Sequence, residues 1–275
     1  MRRVRDIGEF GLIAQLRQNI PHAGDDCAVL PGNLLLTCDP VVEGIHYLPA
    51  TPARKVGWKA MARNLSDIAA MGGTPKWAVV SIGLRPDTPV RWVEQLYDGM
   101  HAAAGKFACR IVGGDTTHVR HEQFVVVTLL GEAERPILRT GSQIGDSVFV
   151  TGTLGLGRDL TFTPRLKEAQ WLARHFDIHA MIDLSDGLAS DAHHLGVGID
   201  FCAAEIPGKL SAALTRGEDF ELLFTIDPRD VTALRTKWKF RTKLTEIGRV
   251  VRGHDVRLDG RPLTAKGYDH FPKRR

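Results

Sequence analysis

The sequence predicts a mixed α/β chain in two domains, and three observations carry that reading. The chain has 275 residues, long for one domain and comfortable for two. Apolar, β-prone runs alternate with segments of helical periodicity along its length. Around Arg135 to Asp146 the composition turns polar and turn-rich, with Pro136, Gly141 and Gly145, so the boundary falls there and the domains are 1–138 and 139–275.

Glu9 to Leu16 reads as a short helix. Gly24-Asp25-Asp26-Cys27-Ala28-Val29-Leu30 then sets two acids between a glycine and an apolar run. That is ordinary turn chemistry and, equally, a metal site, because adjacent carboxylates entering a buried strand repel unless a cation or hydrogen-bond donors compensate. Asn33 to Thr37 is strand-like and runs into Thr37-Cys38-Asp39-Pro40, which puts Asp39 at a strand end. His46 follows, and taken alone is a satisfied structural histidine. Pro52 to Met71 is an amphipathic helix: Trp58, Met61, Leu65 and Ile68 form one apolar stripe, while Arg63, Asn64 and Asp67 project together from another face. Gly72-Gly73, with Pro75 beyond, stops it. Read in isolation, the polar face is solvated surface. Trp77 to Leu84 is a strand, and Pro89 to Ala104 a helix with Trp92, Val93, Leu96 and Met100 on its apolar side. Gly113-Gly114-Asp115-Thr116-Thr117 reads as a turn whose glycines would let the backbone approach phosphate oxygens while Asp115 held a cation. Phe124 to Leu130 is strongly β-prone.

In the second half, the strand Ser147 to Thr151 leads into Gly152-Thr153-Leu154-Gly155-Leu156-Gly157, which lacks the third glycine position and the helix start of a dinucleotide fingerprint. Leu166 to Arg174 is helical. Ala180-Met181-Ile182 enters Asp183-Leu184-Ser185-Asp186-Gly187-Leu188-Ala189-Ser190-Asp191, suited to a cation-and-phosphate turn, or to a helix capped by Ser185 or Asp186. Val197 to Cys202 is followed by Arg216-Gly217-Glu218-Asp219-Phe220 and the strand Glu221 to Ile226. A helix after Pro228, short strands at Leu244 to Val250 and Val256 to Leu258, and Lys266-Gly267-Tyr268-Asp269-His270-Phe271 complete the pattern.

A hydrophobic fraction of 43% and a charged fraction of 25% describe an ordinary soluble protein. No apolar run approaches the roughly 20 residues of a membrane helix, and Met1-Arg2-Arg3 is followed by no apolar signal core, so a cytoplasmic location is expected. The net charge of +4 is mild, in part from Lys273-Arg274-Arg275, and no basic stretch is interleaved with aromatics, which argues against nucleic acid as a partner. Cys27, Cys38, Cys109 and Cys202 are far apart and form no Cys-x-x-Cys pair, as expected of reduced thiols. Gly105-Lys106 and Gly208-Lys209 lack the remainder of a Walker A motif, and protein-kinase signatures are missing.

The recurrent feature is acidic. Asp25, Asp26, Asp39, Asp67, Asp115, Asp183 and Asp186 each stand at the end of an apolar element, in a turn or at a helix end. Mg2+ is a hard cation that takes carboxylate, water and phosphate oxygens, and several are needed where two phosphate-bearing molecules must approach each other. Composition and spacing therefore reach a Mg2+-dependent enzyme acting on a phosphorylated substrate, and leave the topology open.

Taken together, Gly24–Ala28, Asp39 with His46, Asn64–Gly72, Gly113–Thr117, Thr151-Gly152-Thr153, Asp183–Leu188, Gly217-Glu218-Asp219 and Lys266–Phe271 resemble the thiamine-monophosphate kinase family, of the aminoimidazole-ribonucleotide-synthetase-like superfamily. They occur in the family's order and span nearly the whole chain. The resemblance implies an N-terminal mixed sheet with helices that pairs into a dimeric β-barrel, binding metal and ATP, and a C-terminal α/β domain on the substrate side. It implies in-line phosphoryl transfer from ATP to thiamine phosphate, giving thiamine diphosphate, with no catalytic group beyond the metal and phosphate ligands. By motif match Asp26, Thr37, Asp39, Asp67, Asp115, Asp183 and Asp186 would hold Mg2+, with Cys38 contributing through its backbone carbonyl. Gly114, Asp115, Arg139 and Ser185 would touch ATP, and His46, Glu218 and Tyr268 the thiamine phosphate. Cys38 stands where the family has Thr, Arg216 where it has the first Gly of Gly-Gly-Glu-Asp, and Ala265 where it has Trp. The stretches Gly155 to Pro164 and Ala203 to Thr215 are shorter than the family's. Two alternatives stay open: another ATP-using enzyme of the superfamily, and a diverged nucleotide-binding protein with weak or no kinase activity.

Overall fold

The computed structural model describes residues 3–20, 22–157 and 160–271. The basic clusters Met1-Arg2 and Lys273–Arg275 lie outside the described residues. In chain order the elements are α1 (Val4–Leu16), β1 (Ala28–Leu30), β2 (Leu34–Val42), α2 (Ala53–Ala70), β3 (Thr74–Leu84), α3 (Val90–Lys106), β4 (Arg110–His118), β5 (Phe124–Glu132), β6 (Ser147–Thr151), α4 (Leu166–His175), β7 (Ile178–Asp183), α5 (Leu188–Asp191), β8 (Gly198–Phe201), α6 (Leu210–Thr215), β9 (Leu222–Ile226), α7 (Val231–Lys237), β10 (Leu244–Val251), β11 (Val256–Leu258) and β12 (Arg261–Pro262). Among the described residues, no helix is long and apolar enough to cross a membrane.

These elements form two compact units. Val29–Ile137 with Asp159–His175 holds a five-stranded sheet in the order β1-β2-β5-β3-β4; Met1–Ala28, Leu138–Arg158 and Phe176–Arg275 hold a seven-stranded sheet in the order β12-β11-β8-β10-β6-β9-β7. Neither unit is one continuous stretch: the chain passes between them at Ile137/Leu138 and at three further points. Residues 1–28 belong to the seven-stranded unit, and α4 belongs to the five-stranded one, where the Gln170 amide donates to the Gly73 carbonyl and the Thr74 hydroxyl at 2.9 and 3.1 Å.

In the five-stranded unit the sheet is antiparallel at β2/β5 and β5/β3 and parallel at β3/β4. One face packs on α2, whose Met61, Leu65 and Ile68 are fully buried as the apolar stripe predicts. α2 and α3 approach backbone to backbone: a Cβ on Gly57 would strike the Leu96 carbonyl and one on Gly99 the Arg54 carbonyl, so only glycine fits either position. Strand β2 extends through Pro40 to Val42, so Asp39 lies within a strand and not at its end. The three-residue β1 leaves much of one β2 edge unpaired, which is where a residue without an N–H is tolerated.

Gly113–Thr117 is also a correction: it is no turn but the body of edge strand β4, paired in parallel with Val79–Gly83. Local turn chemistry lost to pairing with β3, and an edge strand exposed along nearly its whole length places little demand on side-chain packing. In the seven-stranded unit all pairings but β8/β11 are antiparallel. Phe149, Phe201, Phe224 and Leu223 are buried in its core. Helix α1 starts earlier than expected and kinks at Gly8, whose φ is 71°.

Candidate active site

In the five-stranded unit, the period-two alternation of β2 turns Thr37 and Asp39 towards α2 and Cys38 to the opposite face. The Thr37 hydroxyl donates to Asp67 Oδ2. Arg63 Nε donates to Asp39 Oδ2 at 3.1 Å, and the Asp39 N–H donates to Asn64 Oδ1 at 3.2 Å. Asn64 is 0% exposed and returns its amide to the Ala60 carbonyl. The polar face of α2 is thus not solvated surface. It is packed against the strand that carries the other acids, and the residues three and four apart on the helix each engage β2. Cys38 is exposed, and its Sγ accepts from the Thr128 hydroxyl at 3.3 Å. Its side chain therefore does not join Thr37 and Asp39.

Gly114 and Asp115 lie on β4 opposite Val80 and Ser81. Asp115 is exposed, and a Cβ on Gly114 would strike the Val80 carbonyl. His46 is 9% exposed; its Nδ1 accepts from the Val42 N–H at 3.0 Å, which leaves Nε2 as the protonated nitrogen of the neutral ring. The His46 carbonyl accepts from Lys59 Nζ at 2.8 Å, a lysine 1% exposed that the sequence did not single out.

The seven-stranded unit gathers the remaining acids. Arg139 donates its Nη2 to Asp26 Oδ1 at 2.6 Å and its backbone N–H to Asp25 Oδ2 at 3.0 Å. Burial pushes the Asp25 carboxyl up to about 6, with the Asp26 charge adding to it and the Arg139 hydrogen bond opposing it. Burial works against the Arg139 charge as well, but Asp26, Asp183 and Asp25 together outweigh it and hold the guanidinium firmly protonated. Asp183 ends β7, is buried, and has a carboxylate oxygen within 4.8 Å of one from Asp26. Hard oxygen donors concentrated at buried strand ends fit a divalent cation of the Mg2+ type.

Beyond Asp183 the chain turns at Gly187, whose φ of 114° excludes most side chains. Asp191 Oδ2 accepts from the N–H groups of Asp186 and Gly187 at 3.1 and 3.0 Å. Asp191 is buried, and burial, followed by the Asp186 charge, holds its carboxyl well above the usual carboxylate range. Two further segments dock on the same turn: the Glu218 N–H donates to the Ser185 carbonyl at 2.7 Å and the Tyr268 N–H to the Asp186 carbonyl at 3.0 Å. Ser185, Asp186, Glu218 and Tyr268, separated by up to 83 positions in the chain, are thereby brought onto one turn. The Tyr268 side chain is 43% exposed, its ring edge-on to His270 at 4.9 Å. Asp191 and Asp219 are the acids to which the sequence reading gave no part, while Asp25 was among the recurrent acids but not in the ligand set. Asp191 lies five residues from Asp186 and Asp219 one from Glu218, and that proximity was the available signal.

Residues 24–133 match the family model described as AIR synthase related protein, N-terminal domain. The thiamine-monophosphate kinase of Aquifex aeolicus (strain VF5) is 35% identical over 316 aligned positions, covering 98% of this chain and 100% of the relative. This chain belongs to the thiamine-monophosphate kinase family. The Salmonella typhimurium member is 32% identical, covering 96% of this chain and 98% of the relative. Among solved structures, one described as AaThiL complexed with AMPPCP and TMP superposes with a TM-score of 0.90 at 34% identity, over 98% of this chain and 99% of that one. Hydrogenase maturation protein HypE in complex with ATP matches with a TM-score of 0.70 at 19% identity, over 94% and 92% of the two chains, and shows the shared fold.

Proposed function

We propose that this protein transfers the γ-phosphoryl group of ATP to thiamine phosphate, yielding ADP and thiamine diphosphate, in the cytoplasm and as a homodimer. The observation that carries the reading is full-length similarity to a structure described with both AMPPCP and TMP bound, joined to the convergence of Ser185, Asp186, Glu218 and Tyr268 on one turn.

The ligand set is Asp26, Thr37, Cys38 through its carbonyl, Asp39, Asp67, Asp115, Asp183 and Asp186. Mg2+ held there would neutralise phosphate charge and orient the in-line displacement. The chain's own residues do the rest by positioning. Arg139 sets a guanidinium beside Asp25 and Asp26, where it limits carboxylate repulsion and offers donors to a phosphate. Gly114 and Asp115 lie on an exposed edge strand open to a nucleotide. His46 Nε2–H and the Glu218 carboxylate supply a donor and an acceptor for the thiamine phosphate, and the exposed Tyr268 ring suits a flat cationic one. Residues 1–138 and 139–275 remain the proposed functional halves. The outer face of the five-stranded sheet, with Trp77, Val79 and Val112 at 50%, 43% and 60% exposed, supports pairing of two copies through that sheet.

Purified protein incubated with ATP, Mg2+ and thiamine phosphate is expected to form thiamine diphosphate in stoichiometric step with ADP. ATP binding without product would reject the kinase reading and favour a nucleotide-binding protein.

A further inference from the structure

Arg216 stands where the family resemblance led one to expect glycine, and it reaches the loop that is shorter than the family's. Its Nη1 donates to the carbonyls of Gly155 and Leu156 at 3.2 and 3.4 Å. Three residues on, Asp219 grips the same loop: its two oxygens accept from the N–H groups of Gly155 and Gly157 at 2.6 and 3.0 Å. Burial raises the Asp219 carboxyl, and those same N–H groups oppose the rise.

The fit is close enough to exclude side chains. Gly155 has φ 76° and no room for a Cβ before Ala212 and Ala213; Gly157 has φ 45° and lies against the Gly217 carbonyl and the Arg216 stem. The clasping segment is itself held in an uncommon shape, with Glu218 and Phe220 on either side of Asp219 at φ 69° and 51°. Its backbone is pinned to the opposite loop, Glu218 N–H to the Ser185 carbonyl and Phe220 N–H to the Leu184 carbonyl at 2.8 Å. The 216–220 segment is therefore a strap between two loops. One carries Ser185 and Asp186; the other carries an exposed apolar tip, Leu156, 68% exposed.

We propose that Arg216, paired with Asp219, is a specificity-determining positioning residue: it fixes the shortened Gly155–Gly157 loop against the strap that carries Glu218, and so shapes the wall on the acceptor side of the site. The inference rests on the reading of the protein as a kinase of thiamine phosphate. The Arg216 and Asp219 side chains hold the Gly155–Gly157 loop itself, whereas Ser185 is held by the Glu218 backbone N–H, so loosening the clasp is expected to act on the acceptor more than on the nucleotide.

The test compares the unsubstituted protein with Arg216→Gly and Arg216→Lys in steady-state kinetics and in amide hydrogen exchange over residues 152–157. Losing two hydrogen bonds from a charged donor is expected to raise the KM for thiamine phosphate in Arg216→Gly by about 5- to 20-fold. The KM for ATP should stay within about twofold, and exchange over the loop should accelerate. Arg216→Lys, which keeps the charge but not the fork, is expected to fall between. Equal shifts in both KM values, or an unchanged KM for thiamine phosphate, would overturn the proposal, as would unchanged loop exchange in Arg216→Gly. No turnover of thiamine phosphate by the unsubstituted protein would instead remove the underlying kinase reading, and the exchange measurement would still decide whether the clasp exists.

Discussion

The two units hold their acids in different ways. In the five-stranded unit, Asp39 and Asp67 are matched one to one by their own scaffold: Arg63 serves Asp39 and the Thr37 hydroxyl serves Asp67. In the seven-stranded unit, Asp25, Asp26 and Asp183 crowd around the Arg139 guanidinium, and Asp191 is buried a turn away against the charge of Asp186. In the first arrangement a guanidinium offsets the Asp39 charge and a neutral hydroxyl hydrogen-bonds Asp67. The second concentrates negative charge that the fold alone leaves costly, and a bound cation would relieve it. The lesson is that a ligand carboxylate can be held ready by a neighbouring donor or kept under electrostatic tension, and the two predict opposite responses to neutralisation.

The sharpest test of that contrast neutralises one acid in each unit. Asp183→Asn and Asp67→Asn are both expected to lower kcat by about 100- to 1000-fold, the scale of losing one preorganised electrostatic contact. In urea denaturation without metal, Asp183→Asn should be at least as stable as the parent, because it relieves crowding, whereas Asp67→Asn should not gain. A destabilised Asp183→Asn would break the comparison. Next in size, Arg139→Met removes the shared counter-charge and is expected to cost about 3 kcal/mol without metal, since it leaves buried carboxylates uncompensated. Added Mg2+ should recover part of that loss, and urea midpoints with and without the ion measure it.

A pH effect is expected from the seven-stranded unit. Burial, then the charges of Arg139 and His193, push the His194 imidazole from its ordinary 6.5 down to about 4. Between those values the unfolded chain takes up a proton that the folded protein refuses, so stability falls as pH drops from 6.5 towards 4. His194→Leu is expected to flatten that part of the stability profile measured by thermal melts. The smallest effect is expected at Thr37→Val, which removes the hydroxyl held by Asp67 and should cost about 1 kcal/mol.

Much of this was legible in the sequence because it is local. Helical spacing of Met61, Leu65 and Ile68 specifies a buried stripe whatever it packs against, and Gly72 ends α2 because a φ of 66° suits glycine. The ordered motifs were sufficient to indicate the family. What the sequence alone did not decide depends on partners far along the chain. Gly113–Thr117 has turn chemistry but becomes a strand because β3 pairs with it. Asn64 has the spacing of a surface residue but is buried because β2 covers it. Arg139 meets Asp26 across 113 residues, and Asp219 meets Gly155 across 64. Hydrogen bonds and burial of this kind exist only once the chain has closed on itself. The tertiary structure therefore decided which acids are neutralised, which are crowded, and which merely hold a loop in place.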